Sequence, residues 1–198
     1  MIVGDGSIFA IESGVTLAYK RLSFRALGFF VLHVGGRSYG VRAPDATMLA
    51  CSFDEVGKRI AERGTHTAAF STEADARRIS DAFREAVYAD EQKESYLGIP
   101  LKHFTAMIRA GRLDWAPDGD EAFDDGSYVL QFDVGSRVRL IAFTSTRDCR
   151  YDSDTLRDVW LAADDFYAVL QQWYDAFHAE WESVPKSDDS AGPTVLHG

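Results

Sequence analysis

The chain has 198 residues, 46% of them hydrophobic and 13% aromatic, and a formal net charge of -10. That is long enough to bury one core without disulfides or metal, and the composition excludes a wholly disordered chain. Residues 1–113 carry 15 Lys and Arg against 13 Asp and Glu, whereas residues 114–198 carry 6 against 18, a distribution that disfavours nucleic acid and anionic membrane surfaces as partners.

The first residues, MIVGDGSIFAIES, have neither a basic segment nor a continuous apolar run, so they do not read as a signal peptide. No apolar stretch reaches the roughly 18–20 residues that span a bilayer. The two cysteines, Cys51 and Cys149, form no framework; they read as reduced thiols of a cytoplasmic protein, with a disulfide or redox pair as the alternative.

The N-terminal third reads as strands. SIFAIES alternates, and GFFVLHV at Gly28–Val34 is apolar on both faces apart from His33, which predicts a central strand. Gly35-Gly36 then supplies a hairpin turn before RSYGV.

Two helices are predicted next. Ser52 and Glu55 have capping-box spacing, Phe53, Val56 and Ile60 follow at helical spacing, and Gly64 sits where a helix would stop. The second helix is expected from a cap at Ser71 or Thr72, with Ala76, Ile79, Phe83 and Val87 on one face and Arg77, Arg78, Asp81, Arg84 and Glu85 on the solvated one. A short helix is predicted over Leu101–Ala110, ended by Gly111.

SYVLQFDV and RVRLIAF flank Gly135-Ser136, which predicts an antiparallel hairpin. A short strand near Leu156–Leu161 is expected to extend it. The last helix is expected to begin near Ala163, where Asp164-Asp165 oppose its dipole. Its stripe of Phe166, Val169, Leu170, Trp173, Phe177 and Trp181 reads as core. Residues 185–198 read as a mobile tail, leaving 1–184 as the domain. Strands grouped apart from helices imply a single α+β domain, a largely antiparallel sheet with helices packed on one face.

Few residues suggest chemistry. The five histidines lack metal-ligand spacing, and neither a GxSxG nor a phosphate-binding glycine motif occurs. The expectation is no enzyme, no catalytic residue, no metal and no cofactor. The one dense cluster is DWAPDGDEAFDDG, Asp114–Gly126, with six acids and no Lys or Arg. As a calcium loop starting at Asp118 it fails: position 5 is Ala122, position 6 is Phe123 and position 12 is Val129. It reads either as a solvated loop or as a surface that meets a positive partner.

Three motifs carry a resemblance: Gly4-Asp5, Phe9-Ala10-Ile11-Glu12 and Gly35-Gly36-Arg37-Ser38-Tyr39-Gly40. With the 123–143 hairpin segment and the closing helix, they make most of residues 1–182 resemble the immunity proteins of bacterial polymorphic-toxin and contact-dependent inhibition systems, in particular the immunity protein 42 group. The resemblance implies a cytoplasmic, non-enzymatic inhibitor that binds a cognate toxin domain, the C-terminal domain of a secreted effector delivered by neighbouring bacteria. Toxins in such systems are often nucleases, and nucleases are often basic because they must hold phosphate. The acidic half would then steer association. The expected toxin-binding residues are Asp118, Asp120, Glu121, Asp124 and Asp125, with Trp115 and Tyr128 as flanking aromatic anchors. The alternatives are an adaptor or chaperone for a secreted effector, or a small metal-binding enzyme. Neither the oligomeric state nor the toxin's identity is written in the residues.

Overall fold

The computed structural model describes residues 1–115, 121–145 and 152–187. Strands β1 (Ile2–Asp5), β2 (Phe9–Tyr19), β3 (Ala26–Val34) and β4 (Arg37–Tyr39) form an antiparallel meander in that spatial order. β3 lies inside this sheet, as its two apolar faces require, and Gly35 and Gly36 turn the chain at φ of 57° and 79°. Phe30, Leu32 and Val34 face the core, and His33 falls on the opposite face, where it meets Glu12 at 3.0 Å and Ser38 at 3.2 Å.

β5 (Thr47–Met48) pairs with β3 and leads directly into α1 (Leu49–Ala61). The expected capping box is therefore not used. The helix starts a turn earlier, because Leu49 and Ala50 already continue the buried stripe of Phe53 and Val56. Ser52 is buried inside it, and Glu55 pairs with arginines instead. α2 (Ala76–Tyr88) also starts later than expected. Asp75 caps it by accepting from the Arg77 amide at 2.9 Å. The expected caps lie in a turn held by Arg139, whose Nη1 donates to the carbonyls of Ser71 and Glu73 at 3.0 and 2.6 Å.

A tight hairpin, β6 (Ser95–Tyr96) and β7 (Ile99–Pro100), precedes α3 (Leu101–Ala110), which spans its predicted residues. β8 (Ser127–Val134) and β9 (Arg137–Thr144) form the predicted hairpin, and β10 (Arg157–Ala162) extends it on the β9 side. α4 (Ala163–Ser183) closes the domain. β11 (Lys186–Ser187) runs parallel to Ala18–Tyr19 of β2, so this part of the expected tail joins the sheet; residues 188–198 lie outside the described residues.

The fold is α+β and its sheets are largely antiparallel, as expected, but there are two main sheets rather than one. The hairpin sheet is a middle layer. Val129, Val138, Leu140 and Ala142 face the core beneath β2, β3, α1 and α4. Leu130, Phe132, Ile141 and Phe143 face a second core beneath α2 and α3. This explains why the hairpin is apolar on both faces. The aromatic stripe of α4 is core: Phe166, Leu170, Trp173 and Phe177 are fully buried, and burial of each aliphatic or Phe side chain contributes about 1.5–3 kcal/mol. The polar edge of Trp173 is satisfied by Ser13 Oγ at 3.0 Å.

Candidate functional site

The acidic stretch is built as a surface turn on two apolar pegs. Glu121–Phe123 forms one 3-10 turn, within which Ala122 and Phe123 are buried. The Phe123 ring lies 6.4 Å from that of Phe30, and the Ala122 carbonyl accepts from the Val41 amide at 2.7 Å. With the pegs inward, Glu121, Asp124 and Asp125 stand exposed in one turn. Asp125 is also tied down: its carboxylate accepts from the Ser127 amide at 3.0 Å and the Gly40 amide at 3.3 Å.

Gly126 makes the exit possible. Its φ is +81°, and a Cβ there would lie 2.5 Å from the Ser145 carbonyl oxygen. Tyr128 follows, half-exposed on the second-core face of β8. Its ring stacks on Phe143 at 5.3 Å and meets Phe83 at 5.9 Å and Tyr88 at 5.4 Å.

Trp115 does not flank this surface. It is 2% exposed, its ring stacks on Phe30 at 6.3 Å, and Arg59 lies 4.4 Å from its centroid. Its place among aromatics makes it a core residue, not an anchor on offer to a partner. Asp118 and Asp120 lie outside the described residues. The structure therefore brings Glu121, Asp124 and Asp125 into one exposed turn, leaves Tyr128 half-exposed three residues after Asp125, and removes Trp115 to the core.

Behind the turn lies a buried polar network that the sequence reading missed. Arg59 is fully buried on α1. Its Nη1 donates to Gln131 Oε1 at 2.9 Å and its Nη2 to the Asp114 carbonyl at 2.6 Å. Its Nε lies 2.9 Å from Glu55 Oε1, an ion pair rather than an aligned hydrogen bond. Burial pulls the Arg59 pKa down, while Glu55 and Asp114 push it back up. Glu55 also pairs with Arg112. Gln131 Nε2 donates to the Tyr167 hydroxyl at 3.0 Å, and that hydroxyl donates to Asp133 Oδ2 at 2.9 Å. Burial and the neighbouring Asp133 carboxylate raise the Tyr167 pKa well above the usual phenol range. Asp133 further accepts from the amides of Gly64 at 2.7 Å and His66 at 3.2 Å. His66 is fully buried, its Nδ1 2.9 Å from the Gly111 carbonyl. Burial, then Arg59, lowers its pKa, so the ring is neutral and donates from Nδ1. The one signal in the sequence was positional: Arg59 falls three residues after Val56, on the apolar stripe of α1.

The network's members bind one another and backbone groups, and they join α1, β8, α4 and the segment after α3 into one frame; His66 Nε2 is buried without a hydrogen-bond partner among the described residues. Among the described residues, no three His, Cys, Asp or Glu side chains are grouped to hold a metal ion. No helix is long and apolar enough to cross a membrane among those residues. Cys51 lies exposed on α1; Cys149 lies outside the described residues.

A concavity of about 970 Å³ forms a groove between α2 and α3. Phe83, Ala86, Ile108 and Leu113 line it, as do Lys102 and Arg109. A smaller hollow of about 300 Å³ lies between Ile60 and Arg63 of the α1 end and Asp164 and Tyr167 of α4.

The chain belongs to the immunity protein 42 family, whose model matches residues 1–176. Its fold is similar to that of CdiI from Burkholderia dolosa AUO158, known from a crystal structure, with a TM-score of 0.55 and 14% identity over 89% of this chain and 99% of that one. No curated protein matches it.

Proposed function

We propose that this chain neutralises a cognate toxin domain by stoichiometric binding, without catalysis, and that the toxin is a basic protein of the nuclease kind. The observation that carries this reading is the acidic turn. Its apolar residues are pegged into the core, so its backbone is set and its carboxylates face outward before any partner arrives. A charged surface that needs no ordering on contact loses less entropy on binding. Opposite fields then raise the encounter rate, by 10- to 1,000-fold in strongly steered pairs. Speed is the property an intracellular antidote needs. Asp118 and Asp120 would add to the same field, and Tyr128 would supply the aromatic contact.

The test is the rate of association with the toxin domain encoded beside this chain. Reversing Glu121 and Asp124 to Lys changes the local charge by four, while leaving Asp125 to hold the turn. Association should slow by about tenfold at low salt, and its dependence on salt should flatten. Association as fast as the unaltered chain's at low ionic strength would refute the acidic turn as the contact.

A further inference from the structure

We infer that the groove between α2 and α3 is a second part of the same interface, a socket for an acidic, apolar-faced segment of the toxin; this rests on the toxin-binding reading above. The groove's volume of about 970 Å³ sits at the upper end of the 300–1,000 Å³ typical of binding clefts. Its floor is apolar, formed by Phe83, Ala86, Ile108 and Leu113. At its lip stand Val87 and Tyr88, 39% and 40% exposed, two of the few large hydrophobic side chains left open to water among the described residues. A trough between two helices that leaves such side chains uncovered accepts the apolar face of a third element, and such grooves bind amphipathic helices in many recognition pairs.

The wall along α3 sets the sign of the occupant. Lys102 and Arg109 are seven residues apart and so lie on one face of the helix. Both line the groove and both are exposed. Neither has an ion-pair partner among the described residues, whereas Arg112, deeper in the groove, is already paired with Glu55 and Glu62. In a chain of net charge -10, two adjoining open cations over an apolar floor call for carboxylates on the partner. The groove reaches toward the acidic turn through Tyr128, three residues after Asp125, whose ring lies 5.4 Å from that of Tyr88 at the groove's lip, centroid to centroid. The combined surface is negative at the turn, apolar at the tyrosines and positive along α3. That alternation rejects wrong partners more sharply than a uniform charge does, because a mismatched partner meets repulsion at one end or the other.

Two variants of the full chain test this against the purified toxin domain. The double change Lys102→Glu with Arg109→Glu alters only exposed side chains, and Thr105→Trp fills the groove from α3. Each should weaken equilibrium binding by at least about tenfold, the charge reversal mainly through slower association and Thr105→Trp mainly through faster dissociation, with the thermal midpoint of the free chain kept within a few degrees. Thr105→Ala should bind like the unaltered chain. If the unaltered chain binds the toxin domain and the acidic-turn variant binds more slowly, but both groove variants bind at full affinity, the socket is refuted and the immunity reading stands. If the unaltered chain does not bind the toxin domain at all, both fall. Self-association of the free chain that the groove variants abolish would give the groove to a second copy instead.

Discussion

Replacing Arg59 by Met tests whether the buried network is what holds the framework together. Methionine keeps the unbranched stem and most of the volume, so the cavity component is small. What is lost is the guanidinium. Gln131 Oε1 and the Asp114 carbonyl then lose their donors, and an unsatisfied buried acceptor costs about 1–3 kcal/mol. Glu55 loses one cation but keeps Arg112, which limits the charge penalty. The sum, about 2–6 kcal/mol, brackets the 3–5 kcal/mol typical when one partner of a buried pair is removed. A domain of this size shifts its midpoint by about 2–4 °C per kcal/mol, so the thermal midpoint should fall by roughly 4–24 °C. Urea unfolding followed by tryptophan fluorescence measures the loss directly, and Trp115, 4.4 Å from the guanidinium, should report a local change as well. A loss below about 1 kcal/mol would show that the network is incidental and that apolar packing alone holds α1 to the hairpin.

Two further predictions concern the site's frame. Gly126→Ala places a Cβ against the Ser145 carbonyl at a positive φ; it should cost about 1–3 kcal/mol, read from the urea midpoint, and slow toxin association by displacing Asp124 and Asp125. His66 has its pKa lowered by burial, so the unfolded chain binds a proton that the folded chain refuses. Its contribution is therefore intact above the usual imidazole value of about 6.5 and is lost as pH falls below it. The unaltered chain should lose more stability between pH 7.5 and 5.5 than His66→Gln does, measured as the difference in urea midpoints; equal losses would contradict the assignment.

Much of the fold was legible because its strongest signals are local. The β8–β9 hairpin, α3 and the α4 stripe follow from alternation, helical spacing and turn residues, and tertiary contacts reinforce them. The starts of α1 and α2 were not legible, because long-range contacts decide them: β5 pairing with β3 begins one, and Arg139 holding the Ser71 and Glu73 carbonyls delays the other. The division into two sheets was hidden for a similar reason, since a hairpin apolar on both faces does not say what covers each. At the site, the run of acids was visible and so was Tyr128. Trp115 misled because it falls within the acid-rich run, while its neighbours in space are Phe30 and Arg59. Arg59 was overlooked for the opposite reason, a charge that composition places in solvent and the fold places in the core.

The most direct test of the account is the toxin's own activity. The toxin domain is assayed on its substrate with increasing amounts of this chain, at toxin concentrations well above the dissociation constant. The account predicts a linear loss of activity that reaches completion at one chain per toxin, with the inhibited toxin recovered active after the complex is denatured and the toxin refolded alone. Full activity at a large excess of this chain would contradict the account, as would inactivation by a small fraction of an equivalent, which would mean that the chain modifies the toxin rather than holding it.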